Sequence, residues 1–141
     1  MGPEVFLDAA YAIALAAASD QLHARAIQLA DEIEASGTRL LTTRAVILEI
    51  GNALSRQRYR AAAAALLQSL EADPKVEIVP LSAEVYADAF RLFRDRTDKE
   101  WGLTDCISFV VMKQRGIPEA LTADEHFQQA GFAALLREAR A

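Results

Sequence analysis

Cysteine is nearly absent. Cys106 is the only one in 141 residues, which excludes an internal disulfide and any thiolate metal cluster, so nothing asks for an oxidising compartment. Positive charge is also short, with 15 Lys and Arg against 20 Asp and Glu and a formal net charge of -5. That balance tells against a generic nucleic-acid binder, whose sequence-independent affinity for phosphate comes from surplus Lys and Arg. No uncharged apolar run is long enough to span a bilayer, and the first residues enter a strand-like segment without a basic leader. A cytoplasmic protein with no membrane partner is therefore expected. No Gly-x-Gly-x-x-Gly follows the first apolar run, which removes a dinucleotide-binding reading. No repeat, linker or low-complexity tract divides the chain, so one domain over residues 1–141 is expected.

Hydrophobic residues make up 52% of the chain, much of this alanine, which favours helices packed closely on a flat surface. Short apolar runs alternate with longer stretches of helical period, the pattern of βα units feeding a parallel sheet. The runs are Val5-Phe6-Leu7, Arg39-Leu40-Leu41-Thr42, Val76-Glu77-Ile78-Val79 and Ala120-Leu121-Thr122. A fifth, short edge strand fits between Gly131 and Leu135, although Ala133-Ala134-Leu135-Leu136 reads equally well as helix. The expected architecture is a three-layer α/β/α sandwich on a mainly parallel sheet of four to five strands.

Between these runs, Asp20 is placed to cap a helix through Ala35 that stops at Gly37. Thr43 caps the next, whose Ile47, Ile50 and Leu54 share a face, and the alanine run from Ala61 continues as helix to Asp73-Pro74. Ser82 begins a helix to about Thr97, and Thr104 caps a segment that ends at Arg115 before Gly116.

Four carboxylates then stand out. In an open parallel sheet, side chains just beyond the carboxyl ends of the strands face a shared crevice. Asp8 closes the first run and Asp124 follows the last, although either also serves as an ordinary helix cap. Glu49 lies at the margin of an apolar helical stripe, with Asn52 and Arg56 following on the same side, where a plain exposed Glu would be unremarkable in itself. Asp105 occupies the first turn of a helix, which the helix dipole favours without any function, and Ser108 is one turn on. Gathered together, four carboxylates would repel unless a divalent ion joined them. Mg²⁺ and Mn²⁺ prefer such hard oxygen donors, and an ion held there suits phosphoester hydrolysis.

Taken in order, Val-Phe-Leu-Asp8, Asp20-x-x-His23, Thr43-x5-Glu49-x2-Asn52, Leu103-Thr104-Asp105-Cys-Ile-Ser108-Phe and Leu121-Thr-Ala-Asp124-x-x-Phe127 resemble a PIN domain, nearly end to end. The likeness is greatest to toxins of VapC type. It implies an Mg²⁺- or Mn²⁺-dependent ribonuclease, with Asp8, Glu49, Asp105 and Asp124 as metal ligands and Thr104 and Ser108 as helpers. It also implies a homodimer and an antitoxin whose basic residues block the acidic crevice. Arg44, Asn52 and Arg56, with Arg58 and Arg60, are the expected RNA contacts. One departure is visible: many such domains follow the first Asp with a hydroxyl residue, whereas here Ala9 and Ala10 follow. That departure suggests one rival, a PIN-like binding module of weak or no activity. An aspartyl phosphatase is a second rival, but Ala10 stands where its second Asp belongs. His23 and His126 are read as helix-start polar residues, since hard ions prefer oxygen, and Cys106 as a small core residue.

Overall fold

The computed structural model describes residues 1–137. Its strands are β1 (Glu4–Leu7), β2 (Arg39–Thr43), β3 (Val76–Val79), β4 (Glu119–Leu121) and β5 (Ala133–Ala134). They form one wholly parallel sheet in the order β3-β2-β1-β4-β5. The fifth run is a strand. Leu135 and Leu136 donate their N–H groups to Ala120 and Thr122, extending the pairing with β4, so tertiary hydrogen bonding overrides alanine's helical preference.

The connections are helical: α1 (Ala9–Ala16) and α2 (His23–Ser36) follow β1, and α3 (Arg44–Ala53) and α4 (Gln57–Ala72) follow β2. After β3 come α5 (Ala83–Asp95) and α6 (Leu103–Arg115), and α7 (Glu125–Gln129) joins β4 to β5. Right-handed crossovers place α1–α4 over one face of the sheet and α5–α7 over the other, because the chain reverses direction after β3. Packing agrees: α1 lies against α2, α3 and α4, while α5 packs on α6 and α6 on α7. The central strands are covered on both sides, with Val5, Phe6, Leu7, Leu41, Ala120 and Leu121 fully buried.

The helix boundaries follow local chemistry. Thr43 accepts the N–H of Val46 and Ser82 that of Val85, as their spacing predicted. Gly37 and Gly116 take the left-handed conformation, at φ 70° and 67°, that ends α2 and α6. Two caps differ from expectation. Asp20 spends its carboxylate on the N–H of Leu22 at 2.8 Å, closing a turn ahead of the helix, so α2 starts only at His23. Likewise α6 starts at Leu103 with Gly102 as its cap, and Thr104 lies inside the first turn. The α5 helix ends at Asp95, just short of the expected Thr97, and there Arg96 forks onto Asp98 at 2.9 and 3.0 Å.

Candidate active site

The order of the sheet creates the crevice. The chain runs outward from β1 to β2 and β3, then returns to place β4 on the other side of β1. Connections leaving β1 and β4 therefore diverge to opposite faces and open a cleft beyond their carboxyl ends, where ligands of such folds bind. Asp8 stands immediately after β1, and Thr122 and Asp124 follow β4. The third wall is the start of α6, which carries Asp105, and the fourth is α3, which carries Glu49.

These carboxylates feel one another. Asp8 is only 8% exposed, and its pKa is pushed up from 3.8 to about 6. Burial is the main cause, with hydrogen bonds from Thr122 and Ala9 pulling the other way and the charges of Asp105 and Asp124 adding to the rise. Glu49 stays exposed as a residue, yet its carboxyl rises from 4.5 to about 7. Desolvation is the larger cause, followed by the charges of Asp8, Asp105 and Asp124.

Two contacts went unread in the sequence. Thr122, fully buried, donates its hydroxyl to Asp8 Oδ2 at 2.8 Å and accepts the N–H of Asp124 at 3.1 Å. The hydroxyl missing after Asp8 in the chain thus reaches the same carboxylate from the next strand. Its signal was the polar residue ending an otherwise buried run, two before Asp124. His126 is the second: its Nδ1 lies 3.0 Å from Asp105 Oδ2 and 3.4 Å from Asp124 Oδ1. It does sit at a helix start, but facing the carboxylates, and its pKa is raised chiefly by the hydrogen bond to Asp105. Asp124 Oδ1 also accepts the N–H of His126, so Asp124 caps α7 while facing the same crevice as Asp8.

The remaining residues fall around this centre. Thr104 lines a groove of about 380 Å³ with Glu49, Asn52 and Leu103. Ser108 is buried and donates to the carbonyl of Thr104 at 3.2 Å, inside its own helix. Arg44 pairs with Glu71 of α4. Arg56 is exposed at the start of α4, Arg58 lies over the Tyr59 ring, and Arg60 holds the carbonyl of Ser55. Each of Arg91, Arg94, Arg96 and Lys99 faces a neighbouring Asp, so that cluster is a solvated, internally paired face. His23 Nδ1 hydrogen-bonds the carbonyl of Ala14, and Cys106 is a buried core residue.

The donor set suits a divalent cation. Asp105 and Asp124 stand with His126 close enough for one ion, and burial first, then the charges of neighbouring carboxylates, lifts Asp8 and Glu49 towards the neutral form, a conflict that a hard cation relieves.

A parallel sheet in this order with acidic residues at its switch point defines a small α/β domain whose ligand crevice is negatively charged. The protein-family model of the PIN domain matches residues 5–133, and the chain belongs to that family. It is 30% identical over 129 residues to the "23S rRNA-specific endonuclease VapC20" of Mycobacterium tuberculosis, in strains CDC 1551 / Oshkosh and ATCC 25618 / H37Rv, covering 91% of this chain and 95% of the relative. The crystal structure of Mycobacterium tuberculosis VapC20, described as a Sarcin-Ricin loop cleaving toxin, superposes with a TM-score of 0.80 at 26% identity. It covers 92% of this chain and 96% of that one. Among the described residues, no helix is long and apolar enough to cross a membrane.

Proposed function

We propose that this chain is an Mg²⁺- or Mn²⁺-dependent endoribonuclease of the VapC toxin type, acting on structured RNA in the cytoplasm. The observation that carries the reading is the convergence of Asp8, Glu49, Asp105 and Asp124 beyond β1 and β4, where Asp8 and Glu49 resist ionisation. The four carboxylates hold the cation, which when bound activates water and neutralises charge building on the phosphodiester in the transition state. Thr122 fixes the rotamer of Asp8, and Thr104 forms the groove wall. Ser108 ties down the first turn of α6, on which Asp105 stands. Asn52 and Arg56 meet the RNA backbone beside Glu49, and Arg44 joins them on exchanging Glu71 for phosphate.

Two protein partners belong to this reading. A small antitoxin with basic residues is drawn to a crevice whose negative charge no metal has neutralised. A second copy of the chain covers the apolar face beside the groove, where Leu48, Leu81, Tyr86, Phe90 and Phe93 are each more than 40% exposed.

The test is cleavage of a 23S rRNA fragment containing the sarcin-ricin loop, beside an unrelated hairpin, with Mg²⁺, Mn²⁺ or chelator. Wild type is expected to cut only with metal, and Asp8→Asn to lose activity under every condition. An inactive wild type, or an equally active variant, overturns the proposal. Growth arrest on expression, relieved by an adjacent gene product, tests the toxin role separately.

A further inference from the structure

We propose that His126 is itself a metal ligand, giving the Asp105–Asp124 end of the centre a mixed imidazole and carboxylate donor set that favours Mn²⁺ over Mg²⁺. The inference deepens the metal-dependent reading above and rests on it.

The geometry carries the argument. Metal–nitrogen and metal–oxygen bonds to small divalent ions are about 2.1 Å, so two ligands at right angles lie about 3.0 Å apart. His126 Nδ1 is 3.0 Å from Asp105 Oδ2 and 3.4 Å from Asp124 Oδ1. One donor atom from each of the three residues lies within 4.8 Å of the others, so small side-chain adjustments bring all three onto a single ion. The ring nitrogen is thus held at the edge length of a coordination polyhedron by separate parts of the fold: Asp105 from α6, and Asp124 with His126 from the turn into α7. Phe127, fully buried and 5.0 Å from the Phe109 ring at its centroid, anchors that turn, so the backbone that presents His126 to Asp105 is fixed.

Donor chemistry then predicts selectivity. Mg²⁺ takes oxygen ligands and keeps several waters, whereas imidazole suits first-row transition ions, whose affinity rises from Mn²⁺ onward. A centre of carboxylates alone has no such bias. With His126 included, the site binds Mn²⁺ through at least one nitrogen.

The experiment uses the full chain at neutral pH, with Mn²⁺ and Mg²⁺ titrated by calorimetry and bound Mn²⁺ read by pulsed electron paramagnetic resonance. Wild type is expected to show the nitrogen modulation of a coordinated imidazole. His126→Gln is expected to lose that modulation and to lose Mn²⁺ affinity by about 10–100-fold or more, since even an outer partner of a ligand causes that much. Its Mg²⁺ affinity should stay within a factor of about two, because Mg²⁺ depends on oxygen donors. His126→Asp, with an oxygen donor in place, should narrow the Mn²⁺ preference and shows that loss in the Gln variant is not misfolding. Bound Mn²⁺ without nitrogen modulation, or equal losses for both ions, overturns the assignment and leaves His126 as a residue that orients Asp105 by hydrogen bonding. Failure of wild type to bind either ion overturns the metal-dependent reading as well, so the two failures are distinguishable.

Discussion

Thr122 donates its hydroxyl to Asp8 across two adjacent strand ends, at 2.8 Å. The register that sets Leu7 beside Leu121 makes the contact, because the residue after each strand then faces the same cleft. One hydroxyl therefore holds two acidic segments, as it also accepts the N–H of Asp124. Thr122→Val, similar in shape but without the hydroxyl, should lower metal affinity or cleavage by about 10–100-fold, the usual cost of losing a partner of a metal ligand. Thr122→Ser should retain most activity. Metal titration of cleavage, with melting temperatures as a control for folding, checks this; a fully active Val variant would show that Asp8 needs no such support.

The raised carboxyls fix how metal-free stability responds to pH. Asp8 titrates at about 6 and Glu49 at about 7 in the folded state, against ordinary values of 3.8 and 4.5. Between these limits the folded chain binds more protons than the unfolded one, so stability falls as pH rises. This contribution is fully present below about pH 4 and is lost as pH passes through about 7. The melting temperature of chelator-treated protein should therefore decline from pH 5 to pH 8. Mn²⁺ or Mg²⁺ should restore it at pH 8 and do little at pH 5, where protons compete for the same oxygens. A flat profile, or equal metal stabilisation at both values, contradicts the clustering of charge.

Four of the five strands were legible because parallel strands covered on both faces need continuous apolar runs, and Val5-Phe6-Leu7 is one. Ala133–Ala134 stayed open between strand and helix, since alanine favours helix and only pairing with β4 decides it. The carboxylates Asp8 and Asp124 could be placed from strand ends alone. Thr122 and His126 could not, because what matters is where a strand register and a buried Phe127 aim them, and neither is a local property. Arg91, Arg94 and Arg96 form a cluster by number alone, and Asp88, Asp95 and Asp98 beside them make it a paired, solvated face, the ordinary setting of surface arginines.

The site rests on an aromatic cluster. Phe109 of α6 meets Trp101 and Phe127 edge to face, each at 5.0 Å, and Phe132 at 5.8 Å. Phe127 follows His126 and Phe109 lies one turn beyond Asp105, so the cluster sets the spacing between the two acidic elements. Phe127→Ala should cost about 3–5 kcal/mol of stability, the range for emptying a buried aromatic site. Phe127→Leu should cost less while still weakening metal binding. Denaturant unfolding and metal titration on both variants check the link; full metal affinity in the Ala variant would separate the core from the site.

Homodimerisation through the face beside the groove is the last expectation to test. Along α5, Tyr86, Phe90 and Phe93 are spaced by four and three residues and so project on one side, with Tyr86 and Phe90 rings stacked at 6.4 Å. Leu48 of α3, the most exposed large apolar side chain of this face at 59%, lies across the groove that also contains Glu49, Asn52 and Tyr86. A soluble monomer rarely leaves so many large apolar groups together in water, and a partner laid over them would stand beside the acidic crevice. Charge placed there should therefore act on assembly before it acts on folding. Phe90→Arg with Phe93→Arg is expected to leave the melting temperature nearly unchanged, because both side chains are already more than 40% exposed. Sedimentation should move from dimer to monomer at micromolar concentration. Phe93→Leu, still apolar, should stay dimeric. If wild type sediments as a monomer at every concentration, or the double Arg variant remains a dimer, this face is not where two copies meet.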